Sequence, residues 1–213
     1  MEQDLIITIS RELGSGGRTV GRKIAEKLGI RYSDKDLINT LRDKFDLTTT
    51  AIEKLKGEKT NWFSNFLQFV APVPMIDMLV ETDSQYVKEY RPDLTTDEVY
   101  KAETEILKAI ADEGPCVIAG RSAFFVLKDR PNKVDIFITA SMDKRIERVM
   151  KKQGYDREVA AEIIEKVDKG RENYIRRYTG SSRYDARNYD LCINMDKLTE
   201  DEAVDLILAY IKK

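Results

Sequence analysis

The chain has 213 residues, 42% hydrophobic and 35% charged, enough apolar content for the core of one compact domain with a mobile insertion. A formal net charge of -2 gives no global attraction to nucleic acid or an anionic membrane, and no apolar run approaches the roughly 20 residues of a membrane span. Histidine is absent and cysteines number two, which excludes Ser-His-Asp hydrolysis, Cys-His proteolysis and zinc held by histidine or thiolate ligands.

The acidic opening Met1-Glu-Gln-Asp4 runs straight into a strand predicted over Leu5–Ile9, so no signal peptide is expected. Val20, Ile24, Ala25 and Leu28 then share one helical face, and a second strand is predicted over Ile30–Tyr32. After a long interval, Ile106, Leu107, Ile110 and Ala111 mark another helix, followed by strands over Cys116–Ala119, Val134–Thr139 and Leu191–Asn194. Most of these strands are continuous apolar runs, the pattern of strands buried on both faces of a parallel sheet. A final helix carries Ala203, Leu206, Ile207, Tyr210 and Ile211 behind a capping box, Thr199-x-x-Glu202. The alternation predicts an α/β doubly wound sheet. Cys116 and Cys192 fall inside apolar strands, which predicts buried free thiols and a reducing, cytoplasmic compartment.

Two stretches leave the alternation. Residues 41–100 lean helical and hold the aromatic cluster Trp62, Phe63, Phe66 and Phe69 ahead of Pro72 and Pro74. That cluster is read as the packing core of an insertion, ahead of base stacking or a dimer surface. Residues 151–187 are charged and tyrosine-rich, with Arg171, Arg176, Arg177, Arg183 and Arg187 against Glu172 and Asp185.

Between the first strand and the first helix comes Ser10-Arg-Glu-Leu-Gly14-Ser-Gly16-Gly17-Arg18-Thr19. Glycines let amide hydrogens approach an anion, and a helix N-terminus adds unpaired donors and a favourable dipole. Against the phosphate-loop pattern G-x-x-x-x-G-K-[ST], Arg11 takes the place of the leading glycine and Gly17 that of the lysine. Two interpretations follow. One is a tight strand-to-helix turn without a ligand. The other is a phosphate cradle of Gly14, Ser15, Gly16 and Gly17, in which Arg11 or Arg18 supplies the missing cation as a bidentate fork. In the second, the Thr19 hydroxyl meets a phosphate oxygen or a magnesium-bound water.

The run Ile6–Gly21, with its Gly-Ser-Gly-Gly-Arg form, followed by Ala25–Ile38, resembles the opening of the cytidylate kinase-like family. Weaker pieces continue in order: Val117-Ile-Ala-Gly-Arg121, Ile136–Ser141 with Arg145-Ile146, Asp168-x-x-Arg171-x-x-Tyr174, and Tyr189–Asn194. The resemblance implies a three-layer P-loop kinase fold with a five-stranded parallel sheet. Its core would comprise residues 1–40, 101–150 and 188–213, with a helical substrate-binding insertion at 41–100 and an arginine-bearing lid at 151–187. It also implies ATP-dependent phosphoryl transfer, with Mg2+, to a nucleoside monophosphate such as CMP or dCMP.

Such transfer needs positioning, and positive charge around the phosphoryl group while water is excluded. Arginines on a closing lid meet that need, so Arg18, Arg171 and Arg177 are the catalytic candidates, with Arg171 expected to share a helix face with Arg176 or Arg177. Asp34, Arg42, Arg121 and Arg176 are the acceptor-side candidates. Arg121 follows the third strand at the edge where open sheets collect ligands, although Ser122 replaces the aspartate of cytidylate kinases. Asp34 reads equally as a helix N-cap before Leu37-Ile38 or as an acidic group beside the acceptor. Thr40 stands where cytidylate kinases carry an arginine, with Arg42 slightly further on, which leaves CMP specificity open. The alternatives are a nucleotide-binding module without turnover and a kinase for a non-nucleotide small molecule.

Overall fold

The computed structural model describes residues 4–34 and 97–212. The aromatic cluster at Trp62–Phe69, Arg42, Thr40 and nearly all of the insertion at 41–100 lie outside the described residues. The chain divides into two compact units, residues 1–35 with 114–213, and residues 36–113.

The first unit is built on five parallel strands: β1 (Ile6–Arg11), β2 (Arg31–Asp34), β3 (Cys116–Ala119), β4 (Lys133–Thr139) and β5 (Leu191–Asn194). Their order across the sheet is β2-β3-β1-β4-β5. The helices are α1 (Gly17–Leu28), α3 (Ala123–Val126), α4 (Met142–Gln153), α5 (Arg157–Thr179) and α6 (Glu200–Ile211), with α2 (Asp97–Asp112) in the second unit. On α2, Ala102, Ile106, Leu107, Ile110 and Ala111 form one buried stripe, as their spacing predicts. Among the described residues no helix is long and apolar enough to cross a membrane.

One sheet face carries the main core. Ile7, Ile9, Val117, Ala119, Ile136, Ile138 and Ile193 pack with Val20, Ile24 and Ala25 of α1 and with Ala203, Val204 and Ile207 of α6. Each valine or isoleucine among them contributes roughly 1.5–3 kcal/mol on burial. The capping box at Thr199 and Glu202 is formed in both directions, which fixes the start of α6. A second cluster joins Ile146 and Val149 of α4 to Ala160 and Ile164 of α5, with Leu13 packed on it. Leu13 thereby ties the loop after β1 to this helix pair.

The strands differ from their predicted bounds at two places that matter. β1 runs two residues beyond Ile9, because Ser10 and Arg11 still pair with Phe137 and Ile138 of β4. β2 runs on to Asp34, which pairs with Ala119. Both extensions are polar, so an apolar run cannot announce them, but backbone pairing does not require apolar side chains.

Two expectations of burial are corrected. Cys192 is exposed, because β5 is an edge strand and its alternate side chains face outward, whereas Cys116 in the interior β3 is fully buried. On α6 the inward face runs through Ala203, Val204 and Ile207, which leaves Leu206 and Tyr210 exposed. The thiol difference has a direct readout. Burial pushes the Cys116 thiol up to about 11. A native chain should therefore react with one equivalent of a thiol reagent, at Cys192, and with two when unfolded. Native labelling that survives Cys192→Ser would contradict this placement.

Candidate active site

β1 and β4 are neighbours whose following helices lead to opposite sides of the sheet, to β2 and to β5. Their carboxyl ends therefore border the crevice where open α/β sheets bind ligands. The Gly14–Gly17 loop occupies this place. Glu12 opens it, donating its amide to the Ile138 carbonyl at 3.1 Å and accepting a hydrogen bond on its carboxylate from the Thr139 hydroxyl. Ser15 is spent on the loop's own closure, since its hydroxyl and amide both donate to the Glu12 carbonyl, at 2.9 and 3.3 Å.

Two glycines here are required by geometry. Gly14 has φ +82°, and a Cβ on it would lie 2.6 Å from the carbonyl oxygen of Arg145. Gly16, with φ +88°, is the N-cap of α1 and offers no side-chain cap. The first bond that closes the helix runs from the Val20 amide to the Gly16 carbonyl at 3.1 Å. The amides of Gly17, Arg18 and Thr19 thus have no acceptor within the helix, and the loop presents them at the positive end of its dipole.

Arginines converge on this loop from beyond β4. Asp168 of α5 is the centre of the arrangement and is 5% exposed. Its carboxylate accepts from the Leu13 amide at 3.1 and 3.3 Å, from Arg145, from Arg171 at 3.1 Å and from Arg183 at 3.3 Å. The same arginines also hold the loop backbone. Arg145 donates to the Leu13 carbonyl at 2.8 Å, while Arg171 at 3.1 Å and Arg183 both donate to the carbonyl of Arg11. Arg145 also pairs with Glu12 at 3.2 Å. Arg183 is 2% exposed and rests on the rings of Phe137 and Tyr184, at 5.9 and 5.3 Å. Arg148 of α4 places its guanidinium beside Gly16, where a Cβ would fall 3.1 Å from its Cζ, and it is paired with Glu200.

The remaining predicted site residues fall into three groups. Arg18 and Asp34 meet, with Nε at 2.9 Å and Nη2 at 2.8 Å from one carboxylate oxygen of an aspartate that is 1% exposed. Arg121 follows β3 in a left-handed run of Gly120, Arg121 and Ser122, with φ of 92°, 55° and 52°. Such a conformation costs a non-glycine residue on the order of 1 kcal/mol and collects at ligand sites. Its guanidinium stands 5.8 Å from the ring centre of Tyr174 on α5. Arg176 and Arg177, by contrast, are on the exposed side of α5, Arg176 bonded to Glu172 and Arg177 over the Tyr178 ring at 5.2 Å. They do not share a face with Arg171, because steps of five and six residues turn a helix well away from its starting side. Burial pushes the Glu172 carboxyl up, but bonds from Arg176, Ser182 and the Arg183 amide outweigh it and hold the group low.

Sequence reasoning passed over Asp168, Arg145 and Arg148 as site residues and placed Arg183 only within a basic stretch. The one local signal was the i, i+3 spacing of Asp168 and Arg171. The donor set suits a polyphosphate: amides of a helix N-terminus that have no acceptor inside the helix, flanked by guanidinium groups. Among the described residues no three acidic or thiol side chains gather around a cation position.

Comparison with known proteins finds relatives over nearly the whole chain. The chain is 28% identical over 208 residues to the cytidylate kinase of Pyrococcus horikoshii, covering 97% of this chain and 88% of that one. It is 28% identical over 211 residues to the cytidylate kinase of Archaeoglobus fulgidus, with coverage of 97% and 94%. Among solved structures, an uncharacterized protein of Eubacterium ventriosum is similar at a TM-score of 0.69 and 26% identity, over 98% of this chain and 99% of that one. A gluconokinase of Sinorhizobium meliloti shares the fold at a TM-score of 0.53 and 16% identity, over 100% and 94% of the two chains. With the sequence profile of that family matching residues 6–197, the chain belongs to the cytidylate kinase-like family, and with it to the phosphotransferases that act on a nucleotide or another small molecule.

Proposed function

We propose that the protein transfers the γ-phosphoryl group of ATP, with magnesium, to a nucleoside monophosphate, CMP and dCMP being the first candidates. The convergence of Arg145, Arg171 and Arg183 on the glycine loop that opens α1 carries this proposal. Magnesium-bound ATP supplies the phosphoryl group and part of the charge neutralisation. The chain's own residues bind and orient. The amides of Gly17, Arg18 and Thr19 would hold donor phosphates, Gly14, Ser15 and Gly16 shape the loop that presents them, and the Thr19 hydroxyl would hold the metal. Asp34, Arg121 and Arg42 are assigned to the acceptor side, with the insertion at 41–100 carrying the acceptor and residues 151–187 acting as the lid. Arg171 serves as the lid cation. Arg176 and Arg177, both exposed on α5, are assigned to the lid beside it, Arg177 for the transfer and Arg176 for the acceptor.

Gly17 in the lysine position favours a second possibility, a nucleotide-binding module without turnover. One experiment separates the two. Formation of ADP is followed with magnesium-ATP and a panel of acceptors: CMP, dCMP, UMP, AMP, gluconate and shikimate. A rate above the ATP-only background with CMP or dCMP is the expected result. Calorimetric binding of ATP without transfer to any nucleoside monophosphate would overturn the nucleotide-kinase proposal.

A further inference from the structure

We infer that Arg11 is the cation that meets the phosphoryl group in transfer, its side chain filling the space that the motif lysine leaves and reaching from the donor loop to the acceptor edge of the sheet. The inference rests on the phosphotransfer function proposed above. The two departures from the phosphate-loop pattern, Arg11 for the leading glycine and Gly17 for the lysine, compensate each other in space. A Cβ on Gly17 would lie 2.6 Å from Cβ and 3.1 Å from Cγ of Arg11, so the stem of Arg11 runs where a side chain at position 17 would begin. At its far end, the Arg11 guanidinium lies against Gly120, where a Cβ would fall on Nη1 and 3.4 Å from Cζ. Gly120 immediately precedes Arg121 at the carboxyl end of β3. The charge thus sits between the amides of the loop and the strand edge that bears Arg121.

Arg11 also differs in its bonding from the arginines that surround the loop. Arg18 is held by Asp34, Arg148 by Glu200, and Arg145, Arg171 and Arg183 by Asp168. Among the described residues the Arg11 guanidinium makes no hydrogen bond or ion pair. A half-buried guanidinium has five N–H donors to satisfy, and phosphate oxygens match its fork in pairs. Its base is fixed, because β1 pairs with Ile138 at this residue and Arg171 and Arg183 grip its carbonyl. A fork on a rigid strand end can serve two phosphates at once, which an ammonium does less well. In the transfer, an ionised phosphate oxygen of the acceptor forms the new P–O bond while the bond to the β–γ bridging oxygen breaks. The bridging oxygen leaves with the electron pair as part of ADP, so no proton needs to move. Arg11 donates to the equatorial oxygens of the group in flight, where negative charge is spread.

The test uses the whole chain and two readouts. With inorganic triphosphate as the probe, the Arg11 Nε–Hε resonance, assigned through its backbone, should shift and exchange more slowly with water. Binding of triphosphate by calorimetry with that resonance unmoved would overturn the inference. With magnesium-ATP and whichever acceptor is turned over, Arg11→Gln should lower kcat by about 10²–10³-fold, as loss of one transition-state donor does, at an unchanged melting temperature. Arg11→Lys should recover only part of that loss. Wild-type kcat in a folded Arg11→Gln variant would also overturn it. Absence of turnover in the wild-type chain with every acceptor would sink the proposed function instead, and the resonance would still decide whether Arg11 meets phosphate.

Discussion

Gly17→Lys, which restores the lysine of the usual phosphate loop, should impair the protein instead of improving it. The new Cβ would begin 2.6 Å from Cβ of Arg11 and 3.3 Å from Cβ of Ile138. Neither neighbour has room to retreat. Ile138 is fully buried in β4, and Arg11 is paired to it in the ladder while two arginines hold its carbonyl. Overpacking of this kind costs about 1–3 kcal/mol, which for a chain of this size lowers the melting temperature by roughly 2–12 °C. Turnover should fall further than stability, because the strain is released by displacing Arg11 or the first turn of α1. The double variant Arg11→Gly with Gly17→Lys restores both motif positions and removes the clashing stem. It should melt higher than Gly17→Lys alone, and the non-additivity measures the coupling of the two sites. A single Gly17→Lys variant as stable and as active as the parent would show that the two positions do not share that space.

Much of this arrangement can be read from the order of residues, but the coupling between positions cannot. The turn after β1 is legible because three glycines between an apolar run and a helix have a backbone reason to be there. Which arginine replaces the lysine is not legible, since Arg11 and Arg18 are equivalent as letters. The structure separates them by what they touch: Arg18 ends on Asp34, while Arg11 passes over Gly17 to Gly120. Asp34 reads from its neighbours as a helix cap, whereas its place beside Ala119 at the end of β2 and its bond to Arg18 are visible only in the fold. Arg176 and Arg177 are basic and close in sequence to Arg171, which does not tell which side of α5 they occupy. The helix turn sends them to solvent. Asp168 was hidden for the opposite reason, since an acidic residue in a charged helix looks like surface. Its partners come from the loop, from α4, from α5 and from the segment after it, separated by up to 155 residues.

That separation makes Asp168→Ala the variant expected to do most damage to stability. Asp168 is the carboxylate shared by Arg145, Arg171 and Arg183, and it also caps the Leu13 amide of the loop. Arg145 and Arg183 are 7% and 2% exposed, so removing the carboxylate leaves buried guanidinium groups without water to replace it. Loss of one partner of a buried ion pair costs about 3–5 kcal/mol, equivalent to a fall in melting temperature of roughly 6–20 °C at this chain length. Asp143→Ala is the matching control. It removes an ion pair with Arg157 in which both side chains are more than half exposed, and such pairs contribute little. Asp168→Asn distinguishes charge from shape: its amide oxygen can still accept from Leu13, but the negative charge on which three arginines converge is gone. It should lie between the parent and the alanine variant in melting temperature. Its ATP binding should weaken as well, because Arg145, Arg171 and Arg183 hold the loop carbonyls in place only while they are themselves anchored. If Asp168→Ala melts with the Asp143→Ala control, the hub is a surface ion cluster, and the loop takes its shape from its own glycines and Ser15.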